Sequence, residues 1–118
     1  MTKKKAAKLL GAMTLNELTE VCYEQAELKG WNRRSIRIPE MIALLHSELS
    51  EALEEYRKAS PLYYYANKKP EGVAAEFADV VIRLAHYCKL LGINLQKAVN
   101  EKLSYNLTRS YRHGGKKI

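Results

Sequence analysis

Two pairs of acidic residues lie at i, i+3 spacing in stretches that have the pattern of amphipathic helices. Glu48 and Glu51 form the first pair, and Glu76 and Asp79 form the second. At 100° per residue both pairs, and Glu55 with the first, fall on the apolar side of their helix. Ionised carboxylates are costly to desolvate unless they are paired or bind a metal. Oxygen ligands at this density suit Mg²⁺, and also Mn²⁺, so the pattern predicts a metal site made by the four paired acids.

The same acids also allow interpretations other than a metal site. Carboxylate pairs at this spacing also occur on solvated helix faces, and only the apolar surroundings favour a metal here. Carboxylate-bridged di-iron bundles need Glu-x-x-His motifs, which His46 and His86 do not supply. We expect His46 on an outer face and His86 in a packing role. Arg83 lies one turn after Asp79 and is expected to neutralise the acids, with contact to a substrate phosphate as the alternative.

A basic stripe near the C-terminus complements the acids. Lys102, Asn106 and Arg109 have i, i+4, i+7 spacing and share one helix face. Arg and Lys beside a metal site suit a polyphosphate, although the same spacing is typical of a solvated basic face. Trp31 lies in an Arg-rich loop, where it could stack on a base in the substrate site or anchor the core. The tyrosines at 63–65 could form a pocket for a base, a dimer contact or a loop that packs on itself.

Four amphipathic helices are predicted to position these residues. Thr14 begins a capping-box pattern, Pro39 suits a first helical turn, and Asn94 is a favoured N-cap. Glycine and proline signals separate the helices, and no segment keeps the two-residue alternation of a strand. The sequence therefore predicts an all-α fold of the four-helix-bundle type. The predicted helices span residues 14–29, 39–58, 71–91 and 94–110, with a tyrosine-rich loop at 62–70.

The chain has 118 residues, a length typical of one domain. We expect a basic N-terminal arm at residues 1–13, a single helical domain at 14–110 and a flexible basic tail at 111–118. The net charge of +7 is concentrated in the two ends and favours anionic partners, though loosely. Four short helices leave apolar faces uncovered, so we expect oligomerisation to complete the core, as a homodimer or homotetramer.

The cysteines and the hydropathy pattern bear on the compartment. Cys22 and Cys88 lie in predicted helices and have no disulfide-like or Cys-x-x-Cys spacing, which indicates free buried thiols in a reducing compartment. No run approaches the length of a membrane span, and residues 9–13 are too short and interrupted for a signal sequence. These observations predict a cytoplasmic protein with no membrane partner.

The chain resembles the MazG-like nucleoside triphosphate pyrophosphohydrolases, an all-α superfamily, in three segments: residues 44–57, 76–81 and 101–106. Its signature is an ExxE pair followed by an ExxD pair, and a Lys-x-x-x-Asn helix accompanies them here. The resemblance covers roughly residues 31–116 and implies a MazG-like bundle. It also implies Mg²⁺-dependent hydrolysis of a (deoxy)nucleoside triphosphate to the monophosphate and pyrophosphate. By this resemblance the metals are held by Glu48, Glu51, Glu76 and Asp79, and the phosphates meet Lys102 and Asn106, with Arg109 at the basic end of the helix.

Hydrolysis at the α-phosphorus needs metals that polarise phosphoryl oxygens and lower the pKa of a water. Glu51 is our candidate to orient or deprotonate that water, with Glu55 as the second candidate. For the substrate, we rank a broad (deoxy)nucleotide first, then dCTP or dUTP, then phosphoribosyl-ATP. A basic helical nucleic-acid-binding module is the alternative from another class. Inward acids would serve no purpose in such a module, so nucleic acid is not expected as a partner.

Overall fold

The computed structural model describes residues 11–32 and 35–118 and shows a mostly helical protein. Most of the predicted basic arm, residues 1–10, and the loop residues Arg33 and Arg34 lie outside the described part. The elements in chain order are α1 (Leu15–Leu28), α2 (Ile38–Arg57), β1 (Tyr64–Ala66), β2 (Lys69–Glu71), α3 (Val73–Leu90), α4 (Leu95–Leu107) and α5 (Arg112–Gly115).

Two predicted helix starts are confirmed by their caps. The Thr14 hydroxyl accepts a hydrogen bond from the backbone N–H of Glu17 at 3.1 Å, and the Glu17 side chain accepts from the Thr14 N–H at 3.3 Å. The Asn94 side chain accepts from the backbone N–H of Lys97 at 3.0 Å, which starts α4. The two caps also meet, because Asn16 donates to the Asn94 side chain at 3.1 Å. The beginnings of α1 and α4 are therefore tied together.

Helix α3 is the centre of the packing, since both α1 and α2 pack against it. Its residues 85–88 are all buried, and they include Cys88, a free thiol as expected. The other free thiol, Cys22, is buried on α1. Contacts along α2 and α3 run in opposite directions, because Glu48 reaches Arg83 whereas Glu55 lies with Glu76. The two helices are therefore antiparallel, as the acid-pair interpretation requires.

The prediction that no strand forms is wrong at one place. Residues 64–66 and 69–71 form an antiparallel two-stranded hairpin, in which Tyr64 pairs with Glu71 and Ala66 with Lys69. The turn residues Asn67 and Lys68 have φ values of 50° and 66°, the left-handed pair that matches the twist of a two-residue hairpin. Glu71 therefore belongs to β2, and the third helix begins at Val73 instead of residue 71.

The C-terminal end also differs from its prediction. Helix α4 ends at Leu107, three residues before the expected Ser110. Residues 112–115 then form a short turn in which Arg112 and His113 both have φ of 51°, so the turn is left-handed. Its side chains are exposed. Within the described residues, no helix combines the length and the apolar character that a bilayer crossing requires.

Candidate metal and phosphate site

Three of the four predicted metal ligands come together at the interface of α2 and α3. Carboxylate oxygens of Glu48, Glu76 and Asp79 all lie within 4.8 Å of one another. Glu48 is buried, Glu76 is half-buried and Asp79 is exposed, so the group opens from the helix interface toward solvent. Three oxygens at this separation can share one cation of the hard, oxygen-preferring kind. We refer to these three residues as the acid group.

Glu76 is the member of the acid group whose charge is least compensated. Its Oε2 atom is buried and has no hydrogen-bond partner among the described residues. Burial, the hydrogen bond and charge of Glu51, and the charges of Asp79 and Glu48 together raise the pKa of Glu76 to about 7, and burial is the largest of these causes. Burial and the same neighbouring acids raise the pKa of Asp79. A buried carboxylate oxygen without a donor is an available ligand for a metal cation.

Glu48 is compensated by Arg83, as the sequence analysis expected. The Nη2 and Nε atoms of Arg83 lie 2.6 Å and 3.1 Å from Oε1 of Glu48. The Nη1 atom of Arg83 donates to the Tyr87 hydroxyl at 3.1 Å. Both donors to Glu48 therefore bond the same carboxylate oxygen, and Oε2 of Glu48 takes no part in the contact.

Glu51 and Glu55, the two candidate bases, have different surroundings. Glu51 is exposed and lies outside the acid group, but its carboxylate interacts with Glu76. Glu55 is buried and accepts from the Lys58 ammonium at 3.2 Å and from the Tyr64 hydroxyl at 3.0 Å. These two hydrogen bonds lower the pKa of Glu55. A carboxylate held in its ionised form by two donors is a weak base, which makes Glu55 the less suitable of the two candidates.

A cavity of about 630 Å³ adjoins the acid group. It lies between α1 and α2 on the surface of α3, and Glu48 and Asp79 form part of its wall. The volume is in the range of small-molecule sites, and most such sites combine an apolar lining with a few polar groups. Apolar and aromatic side chains that line it include Ile36, Leu44, Ile82, Tyr87 and Leu90.

Trp31 stands at the rim of this cavity and is 68% exposed. The alternative that it anchors the core is therefore wrong. Its backbone N–H donates to the carbonyl of Ala26 at 2.8 Å, which folds the residues after α1 back over the helix end. The position of an exposed indole beside a cavity is consistent with the other interpretation, in which Trp31 stacks on a ligand.

His86 is buried in the cavity wall, and its hydrogen bonding is specific. Its Nε2 atom contacts Oδ1 of Asn32. The Nδ2 group of Asn32 donates to the carbonyl of Tyr23 at 3.2 Å and to Glu27, so Oδ1 is left as the acceptor. Nε2 of His86 must then carry the hydrogen. Burial and the charge of Arg83 lower the pKa of His86, which keeps the ring neutral at pH 7. The expected packing role omitted this polar contact.

The basic stripe is not brought to the acid group within one chain. Lys102 and Asn106 are exposed on α4, which packs against α1, and Arg109 is exposed just after the end of α4. The Lys102 ammonium lies 5.1 Å and the Arg109 guanidinium 6.0 Å from the ring centre of Tyr105. None of the three lines the cavity described above. His46 is also exposed, as expected.

Sequence reasoning missed a second set of charged residues beside the acid group. Glu55, Glu71 and Glu76 have carboxylate oxygens within 4.8 Å of one another, and Glu76 is common to both sets. The ammonium of Lys69 lies 3.0 Å from Oε1 of Glu71. Glu71 and Lys69 belong to the hairpin, so their position became visible only with the strand pairing. The run of tyrosines followed by charged residues carried no separate signal.

Comparison of the chain with protein-family models, with curated proteins and with solved structures gave no match. The chemistry of the acid group and of the adjoining cavity is therefore the guide to function.

Proposed function

We propose that this protein is a Mg²⁺-dependent nucleoside triphosphate pyrophosphohydrolase of the MazG-like kind. It would hydrolyse a (deoxy)nucleoside triphosphate to the monophosphate and pyrophosphate. The observation that carries the proposal is the acid group on two antiparallel helices, with the buried, unpartnered Oε2 of Glu76 at its centre. A group that only stabilised the fold would not leave a buried carboxylate oxygen without a donor.

The residues of the acid group fit a hard divalent cation. Glu48, Glu76 and Asp79 would hold it, and Mn²⁺ offers the same preference for oxygen ligands. When bound, Mg²⁺ would neutralise phosphate charge and polarise phosphoryl oxygens. Glu51, which is exposed and interacts with Glu76, would accept a proton from an attacking water and orient it. Glu55, fixed by two donors, supports the hairpin in this proposal and is the second candidate base.

The cavity supports a nucleotide as the substrate class. It shares Glu48 and Asp79 with the acid group, so one molecule can extend from the apolar cavity to the carboxylates. A nucleobase suits the apolar part, where Trp31 and Tyr87 offer aromatic surface. Neutral His86 provides a polar group in the same wall. The polyphosphate would then face the acids and solvent.

We also propose that a second copy of the chain completes the site. Exposed apolar residues follow helical spacing along α2 and α3, on the two helices that carry the acids. Lys102 and Arg109 are exposed in the single chain, where both lie over the ring of Tyr105. A partner's α4 could bring the basic stripe to the phosphates. The apolar residues are Ile42, Leu49, Leu53 and Tyr56 on α2, and Phe77, Val81 and Leu84 on α3.

The proposed activity is tested with a panel of ribo- and deoxyribonucleoside triphosphates, including dCTP and dUTP, and with phosphoribosyl-ATP. Each is incubated with Mg²⁺, and the monophosphate and pyrophosphate are quantified by chromatography. Asp79→Asn should lower turnover by about 100-fold or more, since loss of a ligand exceeds the 10–100-fold effect of losing a residue that only supports one. Asp79 is exposed, so the fold should survive.

Glu54→Gln is the matched control for that variant. Glu54 lies on the outer face of α2, where it pairs with Arg57 at 3.2 Å and is exposed. It should retain wild-type turnover and helix content. A wild-type protein that releases no pyrophosphate from any triphosphate, but binds DNA with an affinity that falls steeply with salt, would establish the nucleic-acid alternative instead.

A further inference from the structure

We infer that the hairpin at residues 64–71 is a phosphate-binding element, and that the Lys69 ammonium contacts a phosphate oxygen of the substrate held at the acid group. The inference rests on the proposed function and adds to it a binding residue outside the four long helices. The basic stripe of α4 is then not the only source of positive charge for the phosphates.

Strand geometry places the Lys69 side chain on the acid side of the hairpin. Successive side chains of a strand point to opposite faces, so Lys69 and Glu71 share one face of β2. Tyr64 pairs with Glu71 and shares that face, and its hydroxyl donates to the buried Glu55 at 3.0 Å. The opposite face carries Tyr65, which is 66% exposed. The inner face of the hairpin is thereby assigned by a direct contact to α2.

The ammonium of Lys69 lies among several carboxylates. It is 3.0 Å from Oε1 of Glu71, whose carboxylate is within 4.8 Å of those of Glu55 and Glu76. The hydrogen bond and charge of Glu71 raise the pKa of Lys69, and the charges of Glu76 and Asp79 add to this. The Lys69 ammonium thus interacts electrostatically with both the acid group and the second set of acids. It is a cation beside the metal site that the sequence pattern did not indicate.

The base of the hairpin is held in place beside the acids. The backbone N–H of Ala74 donates to the carbonyl of Leu62 at 2.9 Å, which closes the base of the hairpin. Gly72 has φ of 100°, and a Cβ there would lie 2.6 Å from the Leu62 carbonyl oxygen. The close approach needs glycine. Together with the bond from Tyr64 to Glu55, these contacts fix the base of the hairpin against α2 and α3.

The ion pair between Lys69 and Glu71 contributes little to the stability of the fold. The Lys69 side chain is 74% exposed, and exposed ion pairs contribute little to stability. An ammonium has three donors, and the contact with Glu71 uses one. Phosphate oxygens are strong acceptors for the other two. A divalent cation in the acid group would take over the charge of Glu76 and Asp79, so Lys69 would then face the anionic substrate with its charge uncompensated by them.

Binding of a non-hydrolysable triphosphate analogue in the presence of Mg²⁺, measured by calorimetry, tests the inference without turnover. Lys69→Ala should weaken this binding by about 10- to 100-fold, as expected for loss of a charged hydrogen bond. The control is Lys68→Ala, which removes an equal charge from the neighbouring turn position. It should change the dissociation constant less than about twofold. Lys69→Arg should retain part of the affinity.

Mg²⁺ binding without nucleotide provides a second readout. Lys69→Ala removes a competing cation and should bind Mg²⁺ at least as tightly as the wild type. Weaker Mg²⁺ binding would mean that Lys69 only organises the acids, and the inference would be overturned. It would also be overturned if the Lys68 and Lys69 variants lost equal affinity for the analogue, or if neither lost any.

Equal losses of affinity in the Lys68 and Lys69 variants, or no loss in either, leave the proposed function standing, provided that the wild type hydrolyses triphosphates. A wild type that neither binds nor hydrolyses them overturns the proposed function and this inference together. Failure of the inference alone and failure of the function are thus distinguished by the wild-type measurement.

Discussion

Glu48 and Glu76 face each other across the same helix interface but are stabilised differently. Glu48 is paired by Arg83, a bond that satisfies a buried charge at the cost of fixing a long side chain. Glu76 has acids on several sides and a buried oxygen without a donor. Perturbed carboxyl groups of this kind are common at functional sites, where stability is lost in exchange for chemistry. In the proposed function, Arg83 would therefore support the site and Glu76 would act in it.

The raised pKa of Glu76 predicts how the metal-free protein responds to pH. The folded state holds a proton on Glu76 up to about pH 7, whereas the unfolded state releases it near the ordinary glutamate pKa of 4.5. The folded state therefore binds more protons in this window, and its stability should fall as pH rises from about 4.5 to about 7 and then level off.

Other groups titrate in the same range, so the measurement compares wild type with Glu76→Gln. Urea unfolding in the presence of a chelator should show stability falling across this window relative to the variant. The lowered pKa of His86 acts in the opposite direction, and it is common to both proteins. A difference that stays constant with pH would show that Glu76 does not titrate in the window.

The uncompensated charge of Glu76 also predicts that Mg²⁺ increases the stability of the folded state. In the proposed function Mg²⁺ binds the folded state alone, where the acids converge, so it should stabilise that state by about 2.7 kcal/mol at a concentration 100-fold above its dissociation constant. The melting temperature should rise by several degrees in wild type at pH 8, where Glu76 is ionised. Glu76→Gln should show a much smaller rise. An equal rise with Na⁺ at matched ionic strength would mean that screening, and not a site, is responsible.

The hairpin is the element that brings the charged side chains of Lys69 and Glu71 close to the acids of α2 and α3. It connects α2 to α3 and contacts both, through Tyr64 on one side and the Leu62–Ala74 bond on the other. The exposed ring pair of Tyr63 and Tyr65, with centroids 5.4 Å apart, covers its outer face. A three-residue strand is too short to be stable alone. The contacts to the helices are therefore what hold it.

Gly72→Ala tests how closely the hairpin must approach. The new Cβ would lie 2.6 Å from the Leu62 carbonyl oxygen, and φ of 100° is unfavourable for alanine. Gly92→Ala is a matched control, because its φ is 69° and nothing lies within 4 Å of the new Cβ. Gly92→Ala should cost about 1–2 kcal/mol of stability, and Gly72→Ala more.

Hydrogen exchange shows whether the loss is local. Gly72→Ala should raise the exchange rates of the hairpin amides while α1 keeps its protection. If both variants lose equal stability and the hairpin amides are unaffected, the Leu62 contact does not hold the hairpin.

The helices were predictable because their signals are local. Thr14 and Asn94 supply caps within a few residues, and the acids reveal themselves by their period on an apolar face. The hairpin has no such signal, since its strands are too short for alternation and Asn67-Lys68 is a weaker turn sequence than Asn-Gly. Without the hairpin, Lys69 could not be placed. Residues at the site that depend on tertiary contact were therefore missed.

At the scale of the molecule, one chain is an open arrangement. Its Cα radius of gyration is 16.7 Å, compared with about 13–14 Å expected for a compact chain of this length. No residue of α4 is buried, although α4 carries the proposed phosphate-binding face. Apolar side chains on α2 such as Leu53 are also more than half exposed. All three features are consistent with a subunit that is completed by a second copy.

Light scattering should therefore give a mass of two or four times the 13.5 kDa of one chain at micromolar concentration. Leu49→Lys/Leu53→Lys should lower the mass toward one chain, because it places two charges on the apolar stripe of α2. Leu28→Lys is the control, since Leu28 is 66% exposed and lies at the end of α1, off that stripe. A stable wild-type monomer would contradict the expectation.

Mixing two inactive variants tests whether the site is shared between copies. Lys102→Ala should lower turnover by about 10²–10³-fold if Lys102 stabilises charge in the transition state, and Asp79→Asn removes a proposed ligand. If α4 of one copy serves the acid group of the other, a dimer with one chain of each kind has one site with both residues intact. Refolding an equal mixture should then restore about a quarter of the wild-type activity, because half of the dimers are mixed and half of their sites are complete. If Lys102 acts on the acids of its own chain, every site lacks one of the two residues and mixing restores nothing.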